Sequence, residues 1–451
     1  MSGFTQLGFV RHARCPAMTT FKPVALAGFL FIRGSLTAAI IGTNPPALPL
    51  GLDRITTLPV EKQSAWKAYW KKSERQLRAD QEFFQKELRN YHIMQPTTPP
   101  EGRGVRGITL DKPADWYGQT EALRVADILV SFQTPAGGWS KNIDMTRQGR
   151  APGERFSADN TSRFPVLSDN DAPKDRGWNY VGTFDNDATV TQLRFLANVV
   201  SATGAKRDET YRSAFLRGLD YIFAAQYPNG GWPQVWPLQG GYHDAITYND
   251  NAMIQVLELL RDVAAGRSEF GFVPGKTRAR AADSVKRGIQ CILATQIVVN
   301  GYRTVWCQQH DALTLQPCSA RNYEMPSESS AESAEIMLFL MKVPNPSSEL
   351  VAAIHAAAAW FEKAKINGVS YRFAGDAGRL LVDAPGNGPL WARYYEIGTN
   401  RPIFGDRDKT IHDNVNEISK ERRNGYAWYR DTPAKALEQY STWRGKIPAS
   451  H

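Results

Sequence analysis

Apolar side chains recur every three or four residues through most of the chain after residue 116. Between residues 121 and 132, for example, Leu123, Ala126, Ile128 and Leu129 follow this spacing. The spacing is typical of amphipathic helices, and the strict alternation of half-buried strands is scarce. The pattern predicts helices over Glu121–Phe132, Ala188–Val200, Tyr211–Ala225, Ala252–Val263, Ala279–Leu293, Glu332–Met341 and Leu350–Phe361.

A further helical stretch precedes these elements. It runs from Glu61 to His92, is rich in charged and aromatic residues, and is followed by a proline-rich connector from Gln95 to Pro113. We therefore predict an N-terminal helical extension with its connector over residues 51–115, packed on a main domain over residues 116–451.

A short motif recurs where the predicted helices end. Gln133-Thr-Pro-Ala-Gly-Gly-Trp139 and Gln226-Tyr-Pro-Asn-Gly-Gly-Trp232 each follow a helix, and Gln296 to Tyr302 with Trp306 forms a degenerate third copy. Glycine permits the unusual backbone angles of a helix exit, and the indole ring can cover the helix end. Repeats of this kind indicate stacked or circularly arranged units. We predict a mostly α fold, an incomplete α/α toroid of helix hairpins with minor β structure and long loops.

Composition and charge narrow the function classes. The chain has 451 residues, of which 42% are hydrophobic and 22% charged, and its formal net charge is +9. This composition is typical of a soluble globular protein. The positive net charge favours an acidic partner, such as a nucleic acid, an anionic membrane or an acidic polysaccharide. The sequence has no helix-turn-helix, zinc-finger or RNA-binding strand motif, which argues against nucleic acid.

The N-terminal region resembles an export signal. Arg11 and Arg14 precede an apolar stretch from Val24 to Ile32, and Met18 offers a more typical start. We predict that residues 1–50 are a signal peptide and linker, and that the protein is secreted or periplasmic. A leader without an export function stays an alternative. The apolar stretch is too short for a membrane span, which needs roughly 18 to 20 residues.

Two clusters of acidic and amide side chains lie just before predicted helices. Asp185, Asn186 and Asp187 form the first, and Asn249 and Asp250 form the second. Asp and Asn are favoured as helix N-caps, which is the structural explanation for each cluster alone. Hard oxygen ligands also suit Ca²⁺, which takes six to eight of them and often completes its shell with water or substrate. If the clusters converge, they can form one calcium site.

Eight motifs follow one another in order between residues 118 and 412. They are Gly137-Gly-Trp-Ser-Lys-Asn142, Thr183-Phe-Asp-Asn-Asp-Ala-Thr189, Asn229-Gly-Gly-Trp-Pro-Gln234, Tyr248-Asn-Asp-Asn-Ala-Met253, Trp306-Cys-Gln-Gln-His-Asp311, Ala320-Arg-Asn-Tyr-Glu324, Pro326-Ser-Glu-Ser-Ser-Ala-Glu-Ser333, and Trp391-Ala-Arg-Tyr-Tyr-Glu396 with Arg401-Pro-Ile-Phe404. Through these motifs residues 118 to 412 resemble the family 10 pectate lyases, and eight ordered motifs are far more specific than an isolated Gly-Gly-Trp. Asp187 and Glu328 depart from the usual pattern by adding negative charge.

The resemblance implies an α/α-toroid enzyme that cleaves polygalacturonate by β-elimination with Ca²⁺. It implies Asp185 and Asp250 as metal ligands, Arg321 as the catalytic base, and Arg393 and Arg407 as clamps on uronate carboxylates. It further implies a substrate-binding role for Lys141, Asn186 and His310. We expect a monomer whose partner is the anionic polysaccharide.

Arg321 is an unusual choice of base. Removing the C5 proton of a galacturonate places negative charge beside its carboxylate, where a divalent cation and guanidinium groups stabilise it. A guanidinium has a pKa above about 12, so it accepts a proton only if burial and nearby positive charge disfavour its cationic form. From the residues alone, Arg321 is an electrostatic anchor, and only the resemblance makes it a base.

Other interpretations stay open at this point. His310 beside Asp311 can act as an acid or base near neutral pH, or it can be a hydrogen-bonded wall residue. The whole protein can be a pectin-binding protein that has lost turnover. A toroid with Gly-x-Trp turns is also similar to terpenoid cyclases, but Asp185-Asn-Asp187 is a poor match to their acidic motifs. Activity on polygalacturonate with and without a chelator separates these functions.

Overall fold

The computed structural model describes residues 39–158, 176–178, 180–203 and 208–446. The predicted export signal falls almost entirely on residues 1–38, which lie outside the described residues. The predicted domain boundaries therefore stay predictions, although the described chain already forms a strand before residue 50.

Helices dominate the described chain, and the helical spacing of the sequence is confirmed for each predicted stretch. Helices α1, α10 and α11 were not predicted. The helices are α1 Leu52–Ile55, α2 Val60–Asn90, α3 Thr120–Phe132, α4 Val190–Thr203, α5 Asp208–Ala225, α6 Ala252–Ala265, α7 Gly275–Thr295, α8 Ser330–Leu340, α9 Ser348–Lys363, α10 Lys420–Gly425 and α11 Thr432–Arg444.

Successive helices form antiparallel hairpins arranged as an incomplete α/α toroid. Helices α4 and α5, α6 and α7, and α8 and α9 pack as pairs, and α6 also packs against both α4 and α8. The residues of α8 from Ile336 to Leu340 are all buried, because this helix lies between its neighbours on several sides. Helix α7 has an exposed charged face, as expected of an outer helix.

The repeated Gln…Gly-x-Trp motif closes each hairpin in the same way. The side-chain amide of Gln133 donates to the carbonyls of Gly137 and Ala214, both at 2.8 Å, and the indole of Trp139 donates to the carbonyl of Leu129 at 2.7 Å. A Cβ atom at Gly137 would lie 2.5 Å from a backbone oxygen, so the turn requires glycine. Gln226 with Trp232 and Gln296 with Trp306 make the equivalent bonds.

Short strands connect the helix hairpins and bring the motif residues to one region. The sheets are the three-stranded β1-β12-β11 and the pairs β10-β6, β13-β9, β2-β5, β3-β4 and β7-β8. The strands are β1 Ile40–Thr43, β2 Ile246–Thr247, β3 Val298–Val299, β4 Tyr302–Arg303, β5 Gln309–His310, β6 Glu328–Ser329, β7 Val369–Phe373, β8 Arg379–Asp383, β9 Trp391–Ala392, β10 Tyr394–Tyr395, β11 Phe404–Gly405, β12 Thr410–His412 and β13 Tyr429–Arg430.

The N-terminal extension packs on the main domain through aromatic side chains. Trp66 and Tyr69 of α2 are buried, and both rings contact Tyr227. The hydroxyl of Tyr69 donates to the carbonyl of Ala225 at the end of α5. Among the described residues, every helix falls short of the length or hydrophobicity that a membrane span requires.

Candidate active site

Two turns with the same backbone conformation carry the acidic residues of the candidate site. Asp185–Asp187 leads towards α4, and Asn249–Asn251 leads into α6. The middle residues have left-handed angles, with φ 50° and ψ 45° at Asn186 and φ 48° and ψ 32° at Asp250. Asn and Asp tolerate this conformation better than other residues with a Cβ atom. The two turns contact each other, so the two acidic clusters of the sequence do converge.

The clusters do not act as simple helix caps. Asn251 occupies the N-cap position of α6, and its side chain makes no capping hydrogen bond. The carboxylate of Asp185 instead accepts a hydrogen bond from Lys141. Helix capping therefore does not explain why acids occupy these turns.

Asp185 is a buried carboxylate held by a lysine. Nζ of Lys141 lies 2.5 Å from Oδ2, and the ammonium group also lies 3.7 Å from the ring centre of Tyr180. Burial favours the neutral acid, but the charge and hydrogen bond of Lys141, followed by the charge of Arg321, hold the pKa of Asp185 below its usual value. Oδ1 is buried and has no hydrogen bond of good geometry, although the amide of Gln234 lies nearby.

Asp250 is the exposed acid of the second turn. Burial and the charge of Asp185 raise its pKa to about 6, while Arg393 and Arg321 oppose the shift. Because Asp250 is exposed to solvent, burial raises its pKa less than it would for an enclosed carboxylate. The charge of Asp185 is therefore an important cause of the raised pKa. The preceding Asn249 is buried, and its side-chain amide donates to Asp250 Oδ2 at 3.1 Å.

Arg321 lies beside these turns and is held by Glu324. Nε and Nη2 of Arg321 donate to the two carboxylate oxygens at 2.9 and 2.6 Å, and its backbone N–H donates to Oε2 at 3.0 Å. Tyr426 donates a further hydrogen bond to Oε1. Burial alone would raise the pKa of Glu324, but the charge and hydrogen bonds of Arg321, with Tyr426 and Arg393, lower it to about 2. Glu324 therefore fixes the plane of the Arg321 guanidinium group and favours its cationic form.

Arg393 is buried beneath the second turn. Its Nη2 donates to Oδ1 of Asn249 at 2.9 Å and forms an ion pair with Glu332. Burial would lower the pKa of Arg393, but the charge of Glu332 and of the surrounding groups raises it. Only 5% of the residue is exposed. In this conformation Arg393 stabilises the Asn249–Asn251 turn through its hydrogen bond to Asn249.

Arg407 belongs to a cationic wall on the other side of Arg321. The guanidinium carbons of Arg321, Arg407 and Arg422 lie 5.0, 5.5 and 4.3 Å from the ring centre of Tyr323. Both Arg407 and Arg422 also form ion pairs with Glu421. This wall gives the site a positive potential that suits an anionic polymer.

His310 and Asn186 occupy different environments. The His310 ring is fully buried, with Nδ1 2.9 Å from the carbonyl of Leu315 and Nε2 accepting from the N–H of Cys307 at 3.1 Å. Burial lowers the pKa of His310 to about 4, so the ring is neutral at physiological pH. This placement favours the wall interpretation over a contact with substrate. Asn186 is half-buried and lies next to Asp185 on the first turn.

Asp185 and Asp250 are the residues that fit a calcium ion. Oδ1 of Asp185 and the exposed carboxylate of Asp250 are hard oxygen donors on contacting turns. No group of three or more His, Cys, Asp or Glu side chains converges as a metal cage within the described residues. A calcium ion held here therefore needs oxygens from water and from a bound uronate to complete its shell.

Comparison with known proteins agrees with this geometry. A family model for pectic acid lyase matches residues 133–437. The chain belongs to the pectic acid lyase family. It is similar to the solved family 10 polysaccharide lyase from Cellvibrio cellulosa, with 33% identity and a TM-score of 0.61 over 76% of this chain and 99% of that chain. No curated protein matches the chain significantly.

A second solved structure is relevant to the substrate. It is a mutant of the Cellvibrio cellulosa lyase, with one aspartate replaced by alanine, in complex with trigalacturonic acid. The present chain is 32% identical to it, with a TM-score of 0.61 over 73% of this chain and 97% of that chain. This pectate lyase thus shares its fold and family with an enzyme that binds an oligogalacturonate.

The structure brings most of the predicted residues into one site and adds others. The charges of Asp185, Arg321 and Arg393 all act on the pKa of Asp250, and the charge of Arg321 also lowers the pKa of Asp185. Sequence reasoning missed the two glutamates that hold the arginines. The three-residue spacing of Arg321 and Glu324 was a usable signal, because such pairs often meet in a turn. Glu332 and Arg393 are separated by 61 residues, and no local pattern links them.

Proposed function

We propose that the enzyme cleaves polygalacturonate by Ca²⁺-dependent β-elimination, releasing 4,5-unsaturated oligogalacturonates. The observation that carries the proposal is the meeting of Asp185 and Asp250 on two contacting turns, beside the guanidinium group of Arg321. In this mechanism the C5 proton passes to a base, a C4–C5 double bond forms as the C4–O bond breaks, and the departing oxygen takes up a proton from solvent, so that no water is consumed overall. Hydrolysis by paired carboxylates differs, because it requires an attacking water or a carboxylate nucleophile.

Each residue has a distinct role in the proposal. Asp185 and Asp250 hold the ion together with the uronate carboxylate. When bound, Ca²⁺ supplies positive charge to that carboxylate and so makes the C5 proton more acidic. Lys141 keeps Asp185 ionised and in place, and Arg407 attracts the polymer to the cationic wall. Asn186 is half-exposed and contacts the sugar, while Arg393 and His310 hold the protein groups around the site.

Arg321 takes the C5 proton in this proposal. Glu324 orients the guanidinium group through two parallel hydrogen bonds, and a fixed orientation is a large part of what catalysis needs. The positive charges of Arg422 and of a bound cation would help Arg321 to lose its proton, whereas its hydrogen-bonded partner Glu324 opposes this.

The same ion pair supports a second role for Arg321. A guanidinium group held by a buried carboxylate is a strong electrostatic anchor for the developing charge at the substrate carboxylate. Replacement of Arg321 by lysine separates the two roles. A base role predicts that the limb of the pH–rate profile on which the rate rises with pH moves to lower pH, because lysine loses its proton more readily than arginine. An anchor role predicts a lower rate with no displacement of the profile.

The activity itself is tested by near-ultraviolet absorbance. The unsaturated product has a double bond conjugated to its carboxylate and absorbs in this region, so turnover of polygalacturonate gives a rising signal. We expect the signal to vanish with a calcium chelator and to return when calcium is restored. Binding of polygalacturonate without any signal would instead support a pectin-binding protein that has lost turnover.

We also propose that the enzyme acts outside the cytoplasm as a monomer. Its polymeric substrate and the signal-like residues 1–38 support export. Amino-terminal sequencing of the protein recovered from the producing cells tests this, because an exported form should begin before residue 40 and after Ile32.

A further inference from the structure

A segment that overlaps the end of the predicted signal peptide and linker packs against the candidate site. Strand β1 pairs with β12, and the backbone N–H of Leu50 donates to Oδ2 of Asp244 at 3.0 Å. Arg54 forms an ion pair with Asp311 at 2.6 Å. We call residues 40–55 the N-terminal strap. It lies more than 250 residues from the Arg321 turn along the chain, yet it reaches that turn directly.

Asn44 of the strap is enclosed by the Arg321 turn. Its Nδ2 donates to the carbonyls of Arg321, Asn322 and Glu324 at 3.0, 2.9 and 3.1 Å. Its Oδ1 accepts from the hydroxyl of Ser319 at 2.7 Å. Only 2% of Asn44 is exposed. One side chain thus satisfies three carbonyl oxygens and one hydroxyl group of a single turn.

We infer that Asn44 of the N-terminal strap is a positioning residue for Arg321. This inference rests on the proposed function of Arg321. The turn is closed by the N–H of Ala320 donating to the Glu324 carbonyl and the N–H of Glu324 donating to the Arg321 carbonyl. Asn44 binds the outward lone pairs of the same two carbonyls, so it fixes the backbone from which the ion pair of Arg321 and Glu324 projects.

The chemistry of the amide explains why asparagine is needed. An isosteric aspartate has no N–H donor and would direct a negative charge at three carbonyl oxygens. Alanine would leave those oxygens buried without a partner, a condition that folded backbones avoid by rearranging. Either change releases the Arg321 turn while leaving Asp185 and Asp250 untouched. The expected consequence is slow chemistry with intact binding.

The test compares Asn44→Ala and Asn44→Asp with the control Arg54→Gln in the full chain. Arg54 belongs to the same strap but pairs with Asp311 and does not contact the Arg321 turn. For both Asn44 variants we expect kcat to fall on the order of a hundredfold, because small displacements of a reacting group have effects of this size. Affinity for trigalacturonate should stay within about threefold, and Arg54→Gln should keep its kcat.

Amide hydrogen exchange provides a readout that is independent of catalysis. In Asn44→Ala, exchange of the Ala320 and Glu324 amides should accelerate at least about tenfold relative to wild type and to Arg54→Gln. Unchanged exchange would overturn the inference whatever the activity. A folded Asn44→Ala enzyme with wild-type kcat would also overturn it. If Asn44→Ala does not fold, Ser319→Ala removes only the hydroxyl group that orients Asn44 and should give smaller changes of the same kind, whereas no change would contradict the inference.

The inference and the proposed function can fail separately. If Arg321→Ala retains full activity, the base assignment fails, and the exchange data still report whether Asn44 holds the turn. If Arg321→Ala is inactive while Asn44→Ala is fully active with unchanged exchange, the proposed role of Arg321 stands and the role of Asn44 falls.

Discussion

The turns Asp185–Asp187 and Asn249–Asn251 have nearly the same backbone but place their acids in opposite environments. In the first turn the acid is the leading residue, which is buried and bonded to Lys141. In the second, the leading residue is Asn249, which is bonded to Arg393, and the acid is the next residue. Asp185 is the first residue of its turn, and it is buried with a lowered pKa. Asp250 is the second residue of its turn, and it is exposed with a pKa of about 6.

The difference shows how a repeated turn can supply two distinct ligands to one ion. The pKa of Asp185 is lowered, because the charge and hydrogen bond of Lys141 outweigh the effect of burial. The pKa of Asp250 is raised to about 6 by burial and by the charge of Asp185, so its carboxylate loses its charge as the pH falls through about 6. In the proposed calcium site, a bound cation would offset the repulsion between the two carboxylates. The second turn would then supply a carboxylate whose charge the ion stabilises.

The largest expected effect follows from removing the buried acid. Asp185→Ala should lower kcat about a thousandfold through loss of an electrostatic contribution, and should lower the free energy of unfolding by about 3 kcal/mol because the buried ion pair with Lys141 is broken. Both side chains are almost inaccessible, so solvent cannot screen the loss. Denaturant unfolding and the ultraviolet assay measure the two quantities. Unchanged stability would show that Lys141 does not depend on Asp185.

Replacing the exposed acid Asp250 should stabilise the folded protein, in contrast to replacing Asp185. Asp250→Asn should lower kcat at least about a hundredfold but should raise the melting temperature by roughly 1 to 2 °C at pH 8 without calcium. The folded pKa of Asp250 lies above its ordinary value of 3.8, so its ionisation destabilises the folded state above about pH 6 and has no such effect below about pH 4.

The pH dependence is the check on this second prediction. The melting temperatures of Asp250→Asn and wild type should converge as the pH falls from 8 to 4. Asp187→Asn is a matched control, because Asp187 is an exposed acid on the first turn that bonds to Gln255. A stabilising effect of equal size at pH 4, or in the control, would contradict the assigned cause.

Glu324 is a third acid of the site, and it is paired with an arginine, whereas Asp185 is paired with a lysine. Glu324→Gln should lower the free energy of unfolding by about 2 kcal/mol at pH 7, less than for a fully buried pair because Arg321 is 30% exposed. The folded pKa of about 2 lies below the ordinary 4.5, so this stability is present above about pH 4.5 and is lost as the pH falls towards 2. A difference that persists at pH 2 would exclude the ion pair as its cause.

The smallest expected effect tests whether the two turns are equivalent. Asn186 occupies the position of Asp250 and shares its left-handed backbone, so Asn186→Asp places a new acid without backbone strain. We expect calcium affinity to rise by roughly threefold to tenfold, because the site gains a hard oxygen donor. Calorimetric titration with calcium measures it, and Asp187→Asn is the control for a general change in charge. A lower affinity would show that the two positions face different regions.

Much of the fold was predictable because its signals are local. Helical spacing predicted α2 to α9, and the Gln…Gly-x-Trp repeat predicted hairpins because Gln133 and Trp139 bond to backbone within their own turn. The site was predictable only in part. Its acids lie on short motifs, but Glu332 bonds to Arg393 across 61 residues and Asn44 bonds to Arg321 across 277. Contacts at such separations leave no periodic pattern in a single sequence.

The sequence also left the environments of the charged groups open. His310 and Arg393 lie in motifs shared with the lyases, but nothing in those motifs shows that one ring is buried between Cys307 and Leu315 or that the guanidinium group lies beneath Asn249. Burial is a property of the packed chain. It decides which residues of a motif face a substrate and which hold the others in place.

The most direct test of the shared cation is a crystal structure of Arg321→Ala with trigalacturonate and calcium, in which anomalous scattering locates the ion. Our account predicts one calcium ion bound by the carboxylates of both Asp185 and Asp250 and by a uronate carboxylate, with the C5 atom of that sugar facing the position vacated by Arg321. An ion bound to neither acid, or a uronate bound without an ion between these turns, would contradict it.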